Sequence, residues 1–274
     1  MSPDFQVPHR SCPVCNARSI EFVREWRDFH KHREWSEADP GLRLLLGRCT
    51  ECRMVYVTNT DEVDMSNTKY IHHVPKREPK PQASPRLDYH RAQIDMLSKF
   101  VGPTARVMDY GAGYCSFLRA AQEKGYAVEG INPVIHASEW AERVLGIKVH
   151  AVFGVDFQPE QKYDLVVSDM TFEHLVHPRE DMQQVREMLT DNGFAYIEVP
   201  NWQTIKRVTK GTDVLKDPMH YNYFTPHTLA DLARRVGFTV LKKAPVVART
   251  PSARIIKSVV NPMGYGTCSV LLAK

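Results

Sequence analysis

From Leu87 onward the chain carries a regular alternation of apolar runs and amphipathic stretches. In "LDYHRAQIDMLSKFV" the residues Leu87, Ile94, Leu97 and Val101 recur at helical intervals, and Gly102-Pro103 stops the pattern. Short apolar runs follow and are predicted as strands: "ARVMDY", "YAVEGI", "IKVHAVF", "YDLVVSDM" and "GFAYIEVP". Between them, residues 115–124, "ASEWAERVL" and "DMQQVREML" read as helices, and "PHTLADLARRVGF" is a further helix closed by Gly237. Strands alternating with amphipathic helices imply parallel βαβ units with both sheet faces covered. The final runs, "TVLKKA" and "CSVLLA", are separated by residues 245–267, which carry no helical pattern, so they are expected to form an antiparallel edge pair. The expected fold is α/β, a doubly wound, mostly parallel seven-stranded sheet.

The first 60 residues differ: they are rich in Arg, Trp, Phe and His and have no helix-length apolar period. The stretch "HHVPKREPKPQASPR" (72–86) is basic and holds four prolines, which disfavours regular structure. Three parts are therefore expected: a module over 1–60, a linker or flap over 61–86, and the α/β domain over 87–274. With 274 residues and 43% hydrophobic side chains, the chain can bury a full α/β core and a small accessory unit. A net charge of +4 gives no reason to invoke nucleic acid or an anionic membrane. No apolar run approaches the ~20 residues of a membrane span, and the N-terminus lacks a signal-peptide core, so a soluble, cytoplasmic protein is expected.

The stretch "VMDYGAGYC" (107–115) lies where a doubly wound sheet places its first strand-to-helix turn, the usual ligand position. A dinucleotide fingerprint would need a third glycine or alanine at position 116, which is Ser116. The loop also has no lysine followed by Ser or Thr, which excludes a triphosphate-cradling loop. Its pattern resembles the first motif of class I S-adenosylmethionine-dependent methyltransferases, which have a Rossmann-like sheet: Asp109, Gly111, Gly113, and Cys115 in place of a third glycine. "YAVEGINPV" resembles the family's second strand, with Asn132 where an acidic residue normally receives the ribose hydroxyls, and Glu129 is expected to face elsewhere. The resemblance places Asp156 near adenine, and "SDMTFEHLVHP", with Asp169 at the strand end, beside the sulfonium. "HYNYFTPHTLADLARRVGF" resembles the segment after the fifth strand, so the likeness covers roughly 87–274. Asn132 lacks the charge-assisted bond of a carboxylate, and weaker cofactor affinity is the expected consequence.

Of six cysteines, four form two CxxC knuckles, Cys12/Cys15 and Cys49/Cys52. Four thiolates are the ligand set of a structural zinc site, here with a longer hairpin or helix between the knuckles than usual. The arrangement resembles a zinc-binding module found ahead of many bacterial small-molecule and sugar methyltransferases, although Arg53 stands where glycine usually follows the last cysteine. Such an exposed module can serve as a dimer contact.

Methyl transfer requires positioning, and a base only where the acceptor must lose a proton. Candidates are Glu173 and His174 after the fourth strand, His177 close behind, and His220 with Tyr221 in the loop 201–224. His220 is the leading candidate base, and Trp202, Tyr221 and Tyr223 are expected to shape an acceptor pocket. His72 and His73, beside the linker, are read as solvated. The expected function is transfer of a methyl group from S-adenosylmethionine to a small-molecule or sugar-like metabolite. Two alternatives stand beside it: an RNA or protein methyltransferase that holds its substrate with the zinc module, and a non-catalytic or altered-cofactor relative.

Overall fold

The computed structural model of the protein describes residues 10–26, 44–60, 78, 85–203, 220–243 and 267–274. Among the described residues the first elements are three strands, β1 (Ile20–Trp26), β2 (Leu44–Cys49) and β3 (Val55–Val57). Helix α1 (Pro85–Leu97) leads into β4 (Arg106–Tyr110), α2 (Ser116–Glu123), β5 (Ala127–Ile131), α3 (Ile135–Trp140) and β6 (Val149–His150). Then come β7 (Tyr163–Asp169), α4 (Pro178–Met188), β8 (Leu189–Pro200), β9 (Asn222–Tyr223), α5 (Pro226–Arg235), β10 (Thr239–Lys243) and β11 (Thr267–Ala273).

Seven strands form one sheet in the order β10-β11-β8-β7-β4-β5-β6, parallel throughout except for β11, which runs antiparallel to both neighbours. The continuous apolar runs of the sequence are explained by this placement: β4 and β7 lie in mid-sheet, and Val107, Met108, Leu165, Val166 and Val167 are fully buried. Strand order reverses beside β4, between β5 on one side and β7 on the other, and creates a crevice at their carboxyl ends. The expected edge pair is β10 and β11; the segment between them, 244–266, lies outside the described residues.

Two expected elements change shape. The run 147–153 keeps only Val149 and His150 in the ladder, because Val152 N–H turns back to the His150 carbonyl at this sheet edge. The helix expected at 137–145 begins at Ile135, and its last turn, Ala141–Leu145, widens to a π-helical turn that ends at Gly146 with φ 65°.

The N-terminal strands form a second sheet in the order β1-β2-β3-β9, all antiparallel. Its fourth strand therefore comes from residues 222–223, far along the chain. Cys12, Val14, Cys49, Met54 and Tyr56 share one buried cluster with Met108, Tyr110, Phe172 and Phe224 of the α/β part. The two sheets thus bury apolar surface against a common core. The boundary expected at 61–86 falls almost wholly outside the described residues, as do His72 and His73. Among the described residues no helix is long and apolar enough to cross a membrane.

Candidate active site

A cavity of about 810 Å³ opens at the carboxyl ends of β4, β5 and β7. Its floor is the turn after β4. Gly111 and Gly113 have φ of 98° and 49°, in the left-handed region that side chains disfavour. The N–H groups of Gly111 and Ala112 both donate to the Ile131 carbonyl at 2.9 Å, which draws the turn over the end of β5. A Cβ on Gly111 would sit 2.6 Å from Thr171 Cγ2 and 2.9 Å from its Cβ, so glycine here serves the packing of two loops. A Cβ on Gly113 would meet nothing within 4 Å.

Cys115 completes the turn with φ 58°, which explains why a glycine is expected at its position. A non-glycine residue there costs roughly 1–2 kcal/mol. Its side chain is wholly buried among Phe117, Leu118 and Ala121, and it does not line the cavity. The expected cofactor contact at Cys115 is thus a backbone conformation, with the thiol in the core.

Asp109 ends β4 beneath this turn. Its carboxyl is 4% exposed, and its Oδ1 finds no hydrogen-bond partner although it borders the cavity. Burial, with the nearby Asp169 charge adding to it and Arg86 opposing it, pushes this carboxyl up to about 8. Asp169, at the end of β7, accepts from His90 Nε2 at 2.9 Å and from Arg86 Nη2 at 3.1 Å. His90 Nδ1 in turn lies 2.9 Å from Ser116 Oγ, so helix α1 closes over the turn. Arg86, His90 and Ser116 line the cavity, and neither Arg86 nor His90 stands out in the sequence. They lack a local signal: α1 is joined to Asp169 only by the fold.

Asn132 lines the cavity at the end of β5. Its Nδ2 donates to the Gly113 carbonyl at 3.1 Å, and its Oδ1 accepts from Val134 N–H at 3.1 Å. An aspartate could make only the second bond. Asparagine at this place therefore clamps the glycine turn, a role the comparison with an acidic residue did not anticipate. As expected, Glu129 faces elsewhere, toward His150 and Tyr163. Further along the wall, Asp156 stands exposed at the cavity mouth, and the buried Tyr110 hydroxyl donates to Asp181. Burial pushes Asp181 up to about 7.

The opposite end is formed by the segment after β7. Met170 adopts φ 57°, a strained conformation for a non-glycine residue that turns the chain into the cavity wall, where Thr171, His174, Leu175 and His177 follow. Behind them, Glu173 is buried, with Oε1 3.7 Å from His174 Nε2, and the His174 and His220 rings meet edge to face at 4.7 Å. The structure thus brings Glu173, His174 and His220 together, although His220 and Glu173 do not line the cavity.

Tyr221 and Tyr223 contradict the expected acceptor pocket. They are 2% and 4% exposed and pack with Leu44, Leu46, Val55 and Val57, with Trp202 against them. The reason is β9: pairing with β3 turns this aromatic pair into the core of the small sheet, so Tyr221 does not reach the cavity as a catalytic side chain. Arg10 fixes the join. Its Nε donates to the Val57 carbonyl at 2.9 Å and its Nη2 to Asn222 Oδ1 at 3.1 Å, and its Nη1 donates to the Val176 carbonyl. Asn222 Nδ2 then reaches the carbonyls of Phe172 at 3.1 Å and Leu175 at 2.6 Å.

The four knuckle cysteines converge as expected. Their Sγ atoms all lie within 4.8 Å of one another, with Cys12–Cys52 and Cys15–Cys49 at 3.4 Å. A tetrahedron of thiolates with bonds of about 2.3 Å has edges near 3.8 Å, so the set fits one ion with small adjustments. Arg179 donates to the Val14 carbonyl inside the first knuckle and ties it to α4.

Comparison with known proteins agrees with this architecture. The fold is shared with an S-adenosylmethionine-dependent methyltransferase from Mesorhizobium loti, at 15% identity and a TM-score of 0.53 over 71% of this chain and 100% of that one. It is shared also with the plantazolicin methyltransferase BpumL, solved with S-adenosylhomocysteine, at 13% identity and TM-score 0.54 over 70% and 86% of the two chains. The [4+2]-cyclase SpnF is similar as well, at 16% identity and TM-score 0.52 over 72% and 85%, so the fold alone does not select the chemistry. No curated protein matches the sequence. A family model described as a methyltransferase domain matches residues 70–243, which span the cavity floor and both of its ends. The chain belongs to the methyltransferase domain family.

Proposed function

We propose that the protein transfers the methyl group of S-adenosylmethionine to a small, hydroxyl-bearing or sugar-like metabolite. The observation that carries this reading is the cavity itself: a positive-φ glycine turn at the switch point, with the unpartnered Oδ1 of a buried Asp109 beneath it. These residues fit the cofactor. Asp109 and Asp169 suit the methionyl ammonium, Arg86 the methionyl carboxylate, the Gly111–Gly113 turn the chain between, and Asp156 the adenine. Asn132 serves by holding the turn. When bound, the cofactor supplies an electrophilic methyl group on its sulfonium.

The rest is positioning and exclusion of water. Thr171, Leu175 and Val176 give the far end an apolar wall, and the Glu173–His174–His220 group sets the protonation of an acceptor hydroxyl there. The four thiolates hold structural zinc, which fixes the small sheet against this wall. Calorimetric titration with S-adenosylhomocysteine tests the reading, and micromolar binding is expected. No binding would overturn it, and an acceptor screen of hydroxylated metabolites then separates small-molecule from macromolecular substrates.

A further inference from the structure

From the grouping of Glu173, His174 and His220 we infer that the acceptor end of the cavity carries a second metal site, for a divalent first-row transition ion. This rests on the methyltransferase reading and deepens it. One carboxylate and two imidazoles whose ligand atoms lie within 4.8 Å of one another form the two-histidine, one-carboxylate set that binds such ions and leaves coordination positions open. Two details favour a prepared site. Glu173 is buried, with a side chain 2% exposed, while its neighbour His174 is 32% exposed and borders the cavity, so an ion between them would be anchored from within and open toward the acceptor. The two contributing segments are also pinned together: Tyr221 N–H donates to the Glu173 carbonyl at 2.7 Å, and Asn222 Nδ2 bonds the carbonyls on either side of this pair. His220 is thereby held against His174 by backbone contacts that do not use the imidazoles.

The donor set distinguishes this site from the thiolate cluster. Nitrogen and oxygen ligands suit manganese, iron, cobalt, nickel or zinc, whereas four cysteines select zinc. An ion with open positions would take the oxygen atoms of an acceptor bearing a hydroxyl next to a second oxygen, and would make that hydroxyl more acidic.

The test is a titration of the purified, zinc-loaded protein with Co²⁺, followed by absorption spectroscopy and calorimetry. The expected result is one further equivalent, saturating at micromolar Co²⁺ with weak ligand-field bands and without intense sulfur-to-cobalt charge transfer. Glu173→Gln and His220→Ala should each weaken it at least tenfold. Binding of S-adenosylhomocysteine, measured in parallel, should stay unchanged in both variants, which shows that they remain folded and tests the cofactor reading separately. Absence of a second equivalent, sulfur bands accompanying it, or unchanged affinity in both folded variants would overturn the proposal. Should both variants fail to fold, His220→Asn in the same titration decides the matter.

Discussion

At the cofactor end of the cavity, one continuous stretch from β4 through the glycine turn into α2 supplies the floor, and the ladder to β5 and β7 fixes it. At the acceptor end the wall is a composite. The segment 171–177 is held from behind by Arg10, by β3 and by Asn222, three places widely separated in the sequence. The first end is local and depends on the main sheet. The second depends on tertiary contacts that include the cysteine-bearing sheet, so perturbing that sheet should reach the acceptor and spare the cofactor.

Removing the proposed zinc should have the largest effect. Cys15→Ser, or strong chelation, is expected to abolish the binding of about one zinc per chain and to unfold the small sheet, since structural zinc contributes on the order of 10 kcal/mol to such modules. Hydrogen exchange should rise over β1–β3 and 171–177, with affinity for S-adenosylhomocysteine held within about threefold; parallel loss of that affinity would erase the distinction between the ends. Gly111→Val strikes the other end. The new side chain meets Thr171 and must adopt φ 98°, so affinity should fall by about 3 kcal/mol, roughly 100-fold in Kd, as calorimetry would read. Arg10→Ala removes charge-assisted bonds to buried carbonyls and should cost about 2–3 kcal/mol, lowering Tm with little change in cofactor affinity.

A subtler effect lies in protons. Asp109, pushed up to about 8 by burial, is mostly neutral at pH 7 in the free protein. Its folded value is above the unfolded value of about 3.9, so the stability it confers is fully present below about pH 4 and lost as pH rises through 8. A bound ammonium would favour the carboxylate, so binding near pH 7 should release up to about one proton. Calorimetry in buffers of differing ionisation enthalpy should show this release in the native protein and not in Asp109→Asn; a buffer-independent heat would place the ammonium elsewhere.

The sequence made the cofactor end readable because its residues are contiguous and its turn has steric rules. Asp109, Gly111 and Gly113 are legible through the resemblance of one contiguous motif, and Cys115 as the residue at its third glycine position. What spacing does not reveal is where a side chain goes once the backbone is set: the Cys115 thiol turns into the core, and the Asn132 amide turns onto Gly113. At the other end only what is local is legible, as in the placement of Glu173 and His174 just after β7. Tyr221 and Tyr223 misled because a two-residue strand has no periodicity, and its pairing with Val55 and Tyr56 appears only in three dimensions. Arg10, Arg86 and His90 were missed for the same reason.

The late arrival of β9 also bears on how the protein is made. Both cysteine knuckles have left the ribosome by residue 52, whereas the strand that covers β3 emerges only at residues 222–223. At roughly 5–20 residues per second, the nascent small sheet waits about ten to thirty seconds with that edge open to other chains. Early capture of an ion by the thiolates would hold the hairpin in shape through this interval, so metal scarcity in the cell should appear first as aggregation of newly made chains.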